Sequence, residues 1–298
     1  MKELCIYLEP DLRKSAEAGA HNFINLVQET AEISLFRVTF HDHPAAQGDN
    51  DTYTLSHMAA PPVDRGLVFR RAYHYPFWQI EATTQRWNWD VAKANFEPAI
   101  ARPDAKRFYS YWQTRLFGAE AAQATRDGYI YVPLQGKLTT HRSFQCCTPM
   151  EMIEHCLTYG AGRSVVACLH PNETYSAVEL SALDHLAQRH NRLLIETGNM
   201  AHHLKHCDFV VSQNSAAAFA GYFFGKPALL FGKIDFHHIA EPAGMANLED
   251  SFEATASARP AFDRYVHWFW QENSINAGKP DARAKIAARF QRFGWPIE

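Results

Sequence analysis

The sequence predicts an α/β protein with a parallel, doubly wound sheet in its carboxy-terminal half. Five short apolar runs between residues 129 and 232 alternate with helix-like segments, which is the pattern of a parallel sheet covered by helices. A further strand–helix–strand pattern stands at the amino terminus.

The amino-terminal part contains one clear β-α-β unit. Its predicted elements are strands at 3–8 and 33–40, a helix at 18–30, a loop at 44–66 and an amphipathic helix at 103–118 that ends at a glycine. Between the last two, the aromatic residues from Phe77 through Trp87 to Phe96 are spaced as on a helix that packs against a neighbouring face.

The carboxy-terminal part alternates more regularly. Its predicted strands are 129–134, 164–169, 193–196, 209–213 and 227–232, and its predicted helices are 148–160, 175–190, 200–207 and 215–225. Thr148, Pro149 and Glu151 predict a capping box at the start of the helix at 148–160. Only helical segments follow residue 233.

These patterns divide the chain into three parts. We predict an α/β domain at 1–122, a second α/β domain at 123–245, and a helical tail at 246–298 that packs back on the first domain.

The composition excludes several classes of protein. The 298 residues are 47% hydrophobic and carry a net charge of −3 with mixed signs, so there is no electrostatic basis for binding nucleic acid. The first ten residues include acidic side chains and lack the apolar core of a signal peptide. No segment has the roughly 18 to 20 consecutive apolar residues that span a bilayer. We therefore expect a soluble, cytoplasmic protein, with peripheral membrane contact left open.

The cysteines and histidines do not predict a metal centre. The six cysteines form no CxxC pair, so we expect reduced thiols. His202, His203 and His206 stand together beside Cys207, and His202 and His206 would share one helix face. No further ligand follows at a recognisable spacing, so we predict no metal and no cofactor.

A histidine and a proline follow the predicted strand at 164–169. Pro171 lacks an N–H and fixes φ, so the backbone leaves the sheet and His170 lies at its carboxyl edge, where open α/β sheets bind ligands. There the imidazole can donate to a phosphate oxygen or protonate a leaving group. On this dipeptide alone, a structural histidine that bonds a loop carbonyl is the simpler explanation.

The segment after the strand at 209–213 is the second candidate. Asn214 or Ser215 is suited to N-cap the next helix, and Ala216 keeps side chains away from its first turn. Unpaired N–H groups at a helix start favour an anion, typically phosphate. Ordinary capping of a buried helix is the alternative. Because His170 follows a strand of the same sheet, the two features together predict one phosphate-binding crevice.

Polar and basic residues also follow the strand at 129–134. They are Gln135, Lys137, His141 and Arg142. Lys137 or Arg142 would add positive charge for a phosphate or a sugar carboxylate. A solvated loop explains these residues equally well.

Five segments occur in an order that resembles a known family. They are YIYVPLQ, TPMEMIE, VVACLHPNE, VVSQNSAAAFAGYFFGKPALLFG and FHHIA, across residues 129–240. Together they resemble the bacterial capsule-polysaccharide synthesis and export proteins, whose members include β-Kdo transferases. The resemblance covers a little over a third of the chain.

The resemblance implies a GT-B-like architecture, in which two Rossmann-like domains with parallel sheets face each other across a cleft. The second domain would bind a nucleotide sugar such as CMP-Kdo without a metal. The resemblance assigns His170 and Pro171 to the family's His-Pro motif, which contacts the phosphate of the departing nucleotide. It assigns Asn214 and Ser215, with Ala216 after them, to the family's phosphate loop.

One position departs from the family. In the transferases, the glutamine that corresponds to Gln135 begins a Gln-x-Asp motif whose acid acts in catalysis, but Gly136 and Lys137 follow it here. We keep Gln135, Lys137 and His170 as candidate catalytic residues. A catalytic carboxylate would have to come from the other domain, whose candidates are Asp42, Glu81 and Asp90.

The resemblance implies a metal-independent glycosyltransferase of capsule or surface polysaccharide biosynthesis. It would transfer a sugar, for example Kdo, from a nucleotide-sugar donor to a polysaccharide or glycolipid acceptor, in peripheral association with the capsule machinery at the inner membrane. Lys137 favours an alternative, a non-catalytic member that binds a glycan or nucleotide and assists capsule assembly or export. A sugar-nucleotide epimerase of the same architecture is a third hypothesis.

Overall fold

The computed structural model describes residues 2–43 and 52–298. In chain order, the strands and helices are β1 (Lys2–Leu8), α1 (Pro10–Glu17), α2 (Asn22–Ile33), β2 (Phe36–Asp42), β3 (Tyr53–His57), β4 (Leu67–Arg71), β5 (Phe77–Glu81), α3 (Asp90–Lys93), α4 (Ala105–Phe117), β6 (Tyr129–Pro133), α5 (Pro149–Tyr159), β7 (Ser164–Leu169), α6 (Ala177–Arg189), β8 (Leu193–Thr197), α7 (Met200–His206), β9 (Phe209–Ser212), α8 (Ala216–Tyr222), β10 (Ala228–Leu230), β11 (Glu241–Pro242), α9 (Leu248–Ser257), α10 (Phe262–His267), β12 (Ile275–Asn276) and α11 (Ala282–Arg292).

The chain forms two compact units. Unit 1 comprises Met1–Ala94 and Trp268–Glu298, and unit 2 comprises Asn95–His267. The division lies before α4 and not at the predicted position after residue 122. The reason is that α4 packs within unit 2, where the hydroxyl of Tyr109 donates to the carbonyl of Tyr222 at 2.7 Å. Helices α9 and α10 also belong to unit 2, so a shorter tail than predicted joins unit 1.

Unit 1 contains a six-stranded sheet in the order β12-β5-β4-β3-β1-β2. Strands β2, β1, β3 and β4 are parallel, whereas β5 is antiparallel to β4 and β12 is antiparallel to β5. The apolar face of α2, which includes Phe23 and Val27, is fully buried in the core of this unit. The order of the parallel strands changes direction between β1 and β3, and their carboxyl ends form a topological switch point.

Three strands of unit 1 differ from the sequence prediction. β3 lies within residues 44–66, where a loop is predicted, and β4 is not predicted at all. The aromatic segment from Phe77 to Phe96, predicted as a helix, is β5 followed by a 3-10 turn at Arg86–Asn88 and the four-residue α3. The helical prediction is wrong because all five residues of β5 are buried, so its aromatic residues do not mark one face of a helix.

Unit 2 contains a six-stranded, entirely parallel sheet in the order β11-β10-β9-β6-β7-β8. Read from β8, this is the Rossmann order 3-2-1-4-5-6. All five predicted strands of this region are confirmed, and β11 is an addition of two residues that carries too little pattern to predict. The order changes direction between β6 and β9, so their carboxyl ends form the switch point of unit 2.

Two capping boxes fix helices near this switch point. The predicted box of Thr148 and Glu151 starts α5, and Ser176 and Glu179 form a second box at the start of α6. The carboxylate of Glu179 also accepts from the backbone N–H of Leu138. Glu179 therefore ties the loop that follows β6 to the start of α6.

All six cysteines are free thiols, as predicted. Across residues 2–43 and 52–298, every helix is too short or too polar to cross a bilayer.

Candidate functional site

A small crevice lies at the switch point of unit 2. It is lined by the end of β6 (Pro133, Leu134 and Gln135), by the start of α5 (Pro149 and Met152), by the end of β9 (Ser212 and Gln213), and by Arg142 from the loop between β6 and α5. This is the position at which doubly wound sheets bind ligands. Gln135, a predicted catalytic residue, lines the crevice.

The loop that carries Arg142 is held rigidly by Gln145. The backbone N–H of Arg142 donates to Oε1 of Gln145 at 2.8 Å, and the N–H of Gln145 donates back to the carbonyl of Arg142 at 2.9 Å. A ring nitrogen of His141 bonds the carbonyl of Gln145 at 2.7 Å. The guanidinium lies over the ring of Phe144, 5.0 Å from its centroid. The backbone and one face of Arg142 are therefore fixed.

One edge of the Arg142 guanidinium has no hydrogen-bond partner among the residues that the structure describes. Nε and Nη2 are inaccessible to solvent, and neither donates to any described residue. Burial lowers the pKa of Arg142 below its ordinary value, although a guanidinium remains a cation at neutral pH. Nε and Nη2 share one edge of the planar group, which is the edge that binds a carboxylate or phosphate through two parallel hydrogen bonds.

Two buried glutamines leave further polar atoms unpaired. Gln213 is 5% exposed and donates through Nε2 to the carbonyl of Cys147 at 3.0 Å, but its Oε1 accepts from no described residue. Nε2 of Gln145 is likewise buried and unpaired within the described part of the chain. Buried polar groups in folded proteins are rarely left unsatisfied. Arg142 and Gln213 both line the crevice, and each carries buried polar atoms that pair with no described residue. A cation and an acceptor of this kind suit an oxyanion ligand that also carries hydroxyl or N–H groups.

His170 follows β7, the neighbour of β6, and is exposed. Its backbone N–H donates to the hydroxyl of Tyr175 at 2.9 Å, and its Nδ1 accepts from the backbone N–H of Asn172 at 3.2 Å. The imidazole therefore does not bond a loop carbonyl through Nδ1. Because Nδ1 accepts, we infer that the neutral ring carries its proton on Nε2, which can donate to a ligand. Pro171 is exposed in the same turn.

Asn214, Ser215 and Ala216 connect β9 to α8. Ser215 is the N-cap, as predicted, and its Oγ accepts from the N–H of Ala217 at 3.2 Å. Ser215 and Asn214 are 8% and 9% exposed, whereas Ala216 is exposed. Ser215 therefore serves the ordinary capping role that the sequence left as an alternative. A direct contact of these residues with phosphate stays a prediction.

A carboxylate stands beside the loop that carries Gly136 and Lys137. Lys137 is exposed and has a positive φ of 66°, and it does not line the crevice. Gly136 is buried, and a Cβ placed on it would lie 2.9 Å from Oε2 of Glu173. The same carboxylate acts electrostatically on Arg142, since it raises the pKa of that guanidinium against the effect of burial. The strand and helix patterns of the sequence do not single out Glu173, although it stands only three residues after His170.

The three carboxylates that the sequence offered from unit 1 are already paired. Arg289 contacts Glu81 at 2.8 Å and Asp90 at 2.6 Å, and Arg292 also pairs with Asp90. Burial raises the pKa of Glu81 to about 7. The pKa of Asp90 is instead lowered to about 2 by Arg292 and Arg289. Asp42 pairs with Arg13 at 3.1 Å. Because β5 is antiparallel, Glu81 lies at the edge opposite the carboxyl ends of the parallel strands.

The histidine cluster of α7 has separate protein partners. His203 is 2% exposed, contacts Glu196 at 3.3 Å and stacks on Tyr131. His206 contacts Asp127 at 2.8 Å. In the part of the chain that the structure describes, no three histidine, cysteine, aspartate or glutamate side chains are arranged to hold a metal ion.

Comparison with known proteins identifies the fold and no closer relationship. No protein-family model matches the sequence, and no curated protein matches it. Among solved structures, the chain is similar to a KpsC β-Kdo 2,7 transferase of Thermosulfurimonas dismutans, with a TM-score of 0.54, 10% identity, and coverage of 96% of this chain and 98% of that chain. The resemblance predicted from the sequence is therefore confirmed at the level of the fold, which is α/β and GT-B-like, with two Rossmann-like units.

Two further structures are more distant. A β-Kdo 2,4 transferase from the KpsC of T. dismutans has a TM-score of 0.49 at 12% identity, covering 88% of this chain and 97% of that chain. A UDP-GlcNAc 2-epimerase of Neisseria meningitidis, solved with UDP-GlcNAc, has a TM-score of 0.39 at 11% identity, covering 98% of this chain and 100% of that chain. At these values, neither likeness assigns an activity to this protein.

Proposed function

We propose that this protein is a cytoplasmic glycosyltransferase of surface-polysaccharide biosynthesis, and that unit 2 binds its nucleotide-sugar donor at the crevice between β6 and β9. The observation that carries the proposal is that Arg142 and Gln213 line one crevice and each carry buried polar atoms with no partner among the described residues. The acceptor would be a growing polysaccharide or a glycolipid, and the reaction would need no metal.

The energetics of Arg142 support a ligand at this position. A buried donor without an acceptor costs about 1–3 kcal/mol, and more when it is charged. A protein retains such a destabilising group where its function needs it. Here a bound oxyanion would accept hydrogen bonds from both Nε and Nη2 of Arg142. A solvated loop, the alternative explanation of this segment, would instead leave Nε and Nη2 in contact with water.

The neighbouring residues fit the chemistry of glycosyl transfer. Nε2–H of His170 would donate to the departing phosphate, as the sequence resemblance implies. In a transfer reaction, the sugar develops positive charge at its anomeric carbon. Glu173, which rests against Gly136, would supply the negative charge that stabilises it. A side chain at position 136 would shift this carboxylate.

Glu173 also separates the transferase from the non-catalytic alternative. Lys137, the residue that favoured a binding protein, is exposed and does not line the crevice. The non-catalytic alternative rested on the absence of a carboxylate at position 137. Because Glu173 supplies a carboxylate beside the same loop, that argument no longer applies. We therefore favour the enzyme over a protein that only binds glycan or nucleotide.

A thermal-shift screen against CMP-Kdo, UDP-GlcNAc and GDP-mannose tests the proposal. A ligand at about 100 times its Kd stabilises the fold by about 2.7 kcal/mol, which corresponds to a rise of a few degrees in Tm. Arg142→Lys keeps the charge but loses the fork, and we expect it to abolish the shift. Arg189→Gln, which changes an exposed arginine of the same unit, is the matched control.

An assay of nucleotide release, run beside the screen, separates binding from turnover. Glu173→Gln should retain the thermal shift and lose release of free nucleotide from the donor. If none of the three sugar nucleotides raises the Tm of the wild type, the proposed function is wrong. If Glu173→Gln turns over like the wild type, the role given to Glu173 is wrong.

A further inference from the structure

A cavity of about 520 Å³ lies beside Glu81, at the edge of the unit 1 sheet opposite the carboxyl ends of its parallel strands. All of its lining residues belong to unit 1. They come from the end of β5, from residues 90–94, from residues 272–275 and from α11. Pockets that hold small ligands have volumes of about 300–1,000 Å³, so the cavity is large enough for one. It is called the unit 1 cavity below.

One wall of the unit 1 cavity is held in place by Gln79. Nε2 of Gln79 donates to the carbonyl of Asn273 at 2.7 Å and to Oγ of Ser274 at 3.1 Å. The hydroxyl of Ser274 donates in turn to the carbonyl of Phe269, which lies in a π-helical turn at Trp268–Glu272. Turns of this kind are rare in proteins and occur frequently at functional sites. These hydrogen bonds fix the wall without any ligand.

The two arginines of the cavity are committed to protein groups. Nη2 of Arg289 lies 2.8 Å from Oε1 of Glu81, and Nη1 lies 2.6 Å from Oδ2 of Asp90. Nε and Nη2 of Arg289 also donate to the carbonyl of Ile80. Arg292 binds the carboxylate of Asp90 through Nε and Nη2. Most of the donor groups of both arginines are therefore already used inside unit 1.

The two lysines of the cavity are not committed in this way. Lys93 is exposed, and its Nζ makes no ion pair or hydrogen bond with any residue that the structure describes. Nζ of Lys285 has only long contacts, 3.5 Å to Asp281 and 3.3 Å to the carbonyl of Gln271. The lining contains one more cationic side chain than carboxylates. Burial also raises the pKa of Glu81 to about 7, which makes the cavity more positive near neutral pH.

The polar groups of the lining restrict the chemistry of a ligand. The excess of cations favours a ligand with a net negative charge over a zwitterion. Gln79 and Asn273 both use their side-chain N–H groups as donors within the protein, so their amide oxygens remain as acceptors. A bare anion such as acetate brings no donor for these oxygens or for Glu81. A ligand with hydroxyl groups beside its anionic group suits both the cations and the acceptors.

We propose that the unit 1 cavity binds a small anion that carries several hydroxyl groups, such as a sugar carboxylate or a sugar phosphate. Lys93 and Lys285 pair with its anionic group, and the amide oxygens of Gln79 and Asn273 accept from its hydroxyl groups. This site shares no residue with the crevice of unit 2, and the inference does not depend on the proposed function.

Binding is tested by methyl NMR of the full chain, labelled with ¹³C at valine and isoleucine. The probes are glucuronate and glucose 6-phosphate, with glucose, acetate and inorganic phosphate as controls that lack either the charge or the hydroxyl groups. Val91 and Ile275 line the cavity and should shift saturably with glucuronate, glucose 6-phosphate or both, whereas Val211 in the core of unit 2 stays in place. The three controls should give no saturable shift at the same concentrations. No shift with either hydroxylated anion, or equal shifts with acetate and phosphate, would overturn the proposal.

Lys93→Gln distinguishes a ligand site from a purely structural network of ion pairs. Since Nζ of Lys93 contacts no described residue, the variant should keep the Tm of the wild type and bind the hydroxylated anion about 10-fold or more weakly. Lys279→Gln, at an exposed lysine of unit 1 outside the cavity, is the matched control and should bind normally. Arg142→Lys should also bind the anion normally, although it should lose the sugar nucleotide, so failure of the proposed function is seen separately. Unchanged affinity in Lys93→Gln would overturn the proposal.

Discussion

Arg142→Met is predicted to stabilise the unliganded protein. The substitution keeps the length of the side chain and removes a guanidinium whose Nε and Nη2 are buried without acceptors. Two hydrogen bonds inside the loop, between Arg142 and Gln145, involve only the backbone of Arg142 and stay in place. The variant therefore removes the unpaired charge, together with its contact with Phe144 and its attraction to Glu173.

The expected magnitude follows from the contacts of the guanidinium. Each unsatisfied buried donor costs about 1–3 kcal/mol, so removing two should gain at least about 2 kcal/mol. The contact with the ring of Phe144 is lost, which costs about 0.5–1 kcal/mol. We expect a net increase of about 1–2 kcal/mol in the free energy of unfolding, together with complete loss of nucleotide binding.

Arg163→Met is the matched control for this measurement. Nε of Arg163 pairs with Oδ2 of Asp208 at 2.7 Å, and both side chains are largely buried. The same substitution leaves this carboxylate without its cation, although Oδ1 still accepts from the N–H of Gly128. We expect Arg163→Met to lower the free energy of unfolding by about 3 kcal/mol. Urea denaturation of the wild type, Arg142→Met and Arg163→Met at pH 7 measures both changes in the free energy of unfolding, which should have opposite signs. A loss of more than about 1 kcal/mol in Arg142→Met would show that Arg142 is a structural residue and refute the reasoning.

Three further predictions concern other parts of the molecule. Arg292 and Arg289 hold the pKa of Asp90 at about 2, below its value near 4 in the unfolded chain. The stability that the ionised Asp90 contributes is therefore present above pH 4 and is lost as the pH falls to 2. Asp90→Asn should lower the free energy of unfolding by about 2 kcal/mol at pH 6 and by almost nothing at pH 2, as measured by urea denaturation. Lys137→Gly should leave Tm unchanged or slightly higher, because Lys137 is exposed at a positive φ, and a drop of several degrees would contradict this placement. Protein purified without an affinity tag should contain no stoichiometric zinc by elemental analysis, and it should bind nucleotide equally with and without EDTA. One zinc per chain would contradict the assignment of His203 and His206 to protein partners.

The fold of unit 2 could be predicted from the sequence because its signals are local. Strands such as β7 are uninterrupted apolar runs, and Thr148 with Glu151 marks a helix start by side-chain chemistry alone. In unit 1, β3 and β4 are short, and their burial depends on neighbours far along the chain. The partner of β5 at one edge is β12, almost 200 residues later, which no local pattern indicates.

The candidate sites were predicted only where they coincide with strand ends. His170, Gln135 and Ser215 were found because each follows an apolar run. Glu173 could not be ranked, since its approach to Gly136 depends on how two loops fold over the sheet. The unit 1 cavity brings together Asp90 and Arg289, which stand 199 positions apart and share no local pattern. The unpaired state of Arg142 is a property of packing, which a sequence does not state.

The central claim, that unit 2 binds a nucleotide between β6 and β9, is tested most directly by side-chain NMR. Titration of the full chain with CMP, UDP and GDP is followed through the Nε–H resonance of Arg142 and the side-chain amide of Gln213. We predict that one nucleotide moves both resonances saturably, shifts the Arg142 proton in the direction expected for a bond to phosphate, and leaves the Nε–H of Arg163 in place. Saturable binding that leaves Arg142 and Gln213 unmoved, or no binding by any of the three, would contradict the claim.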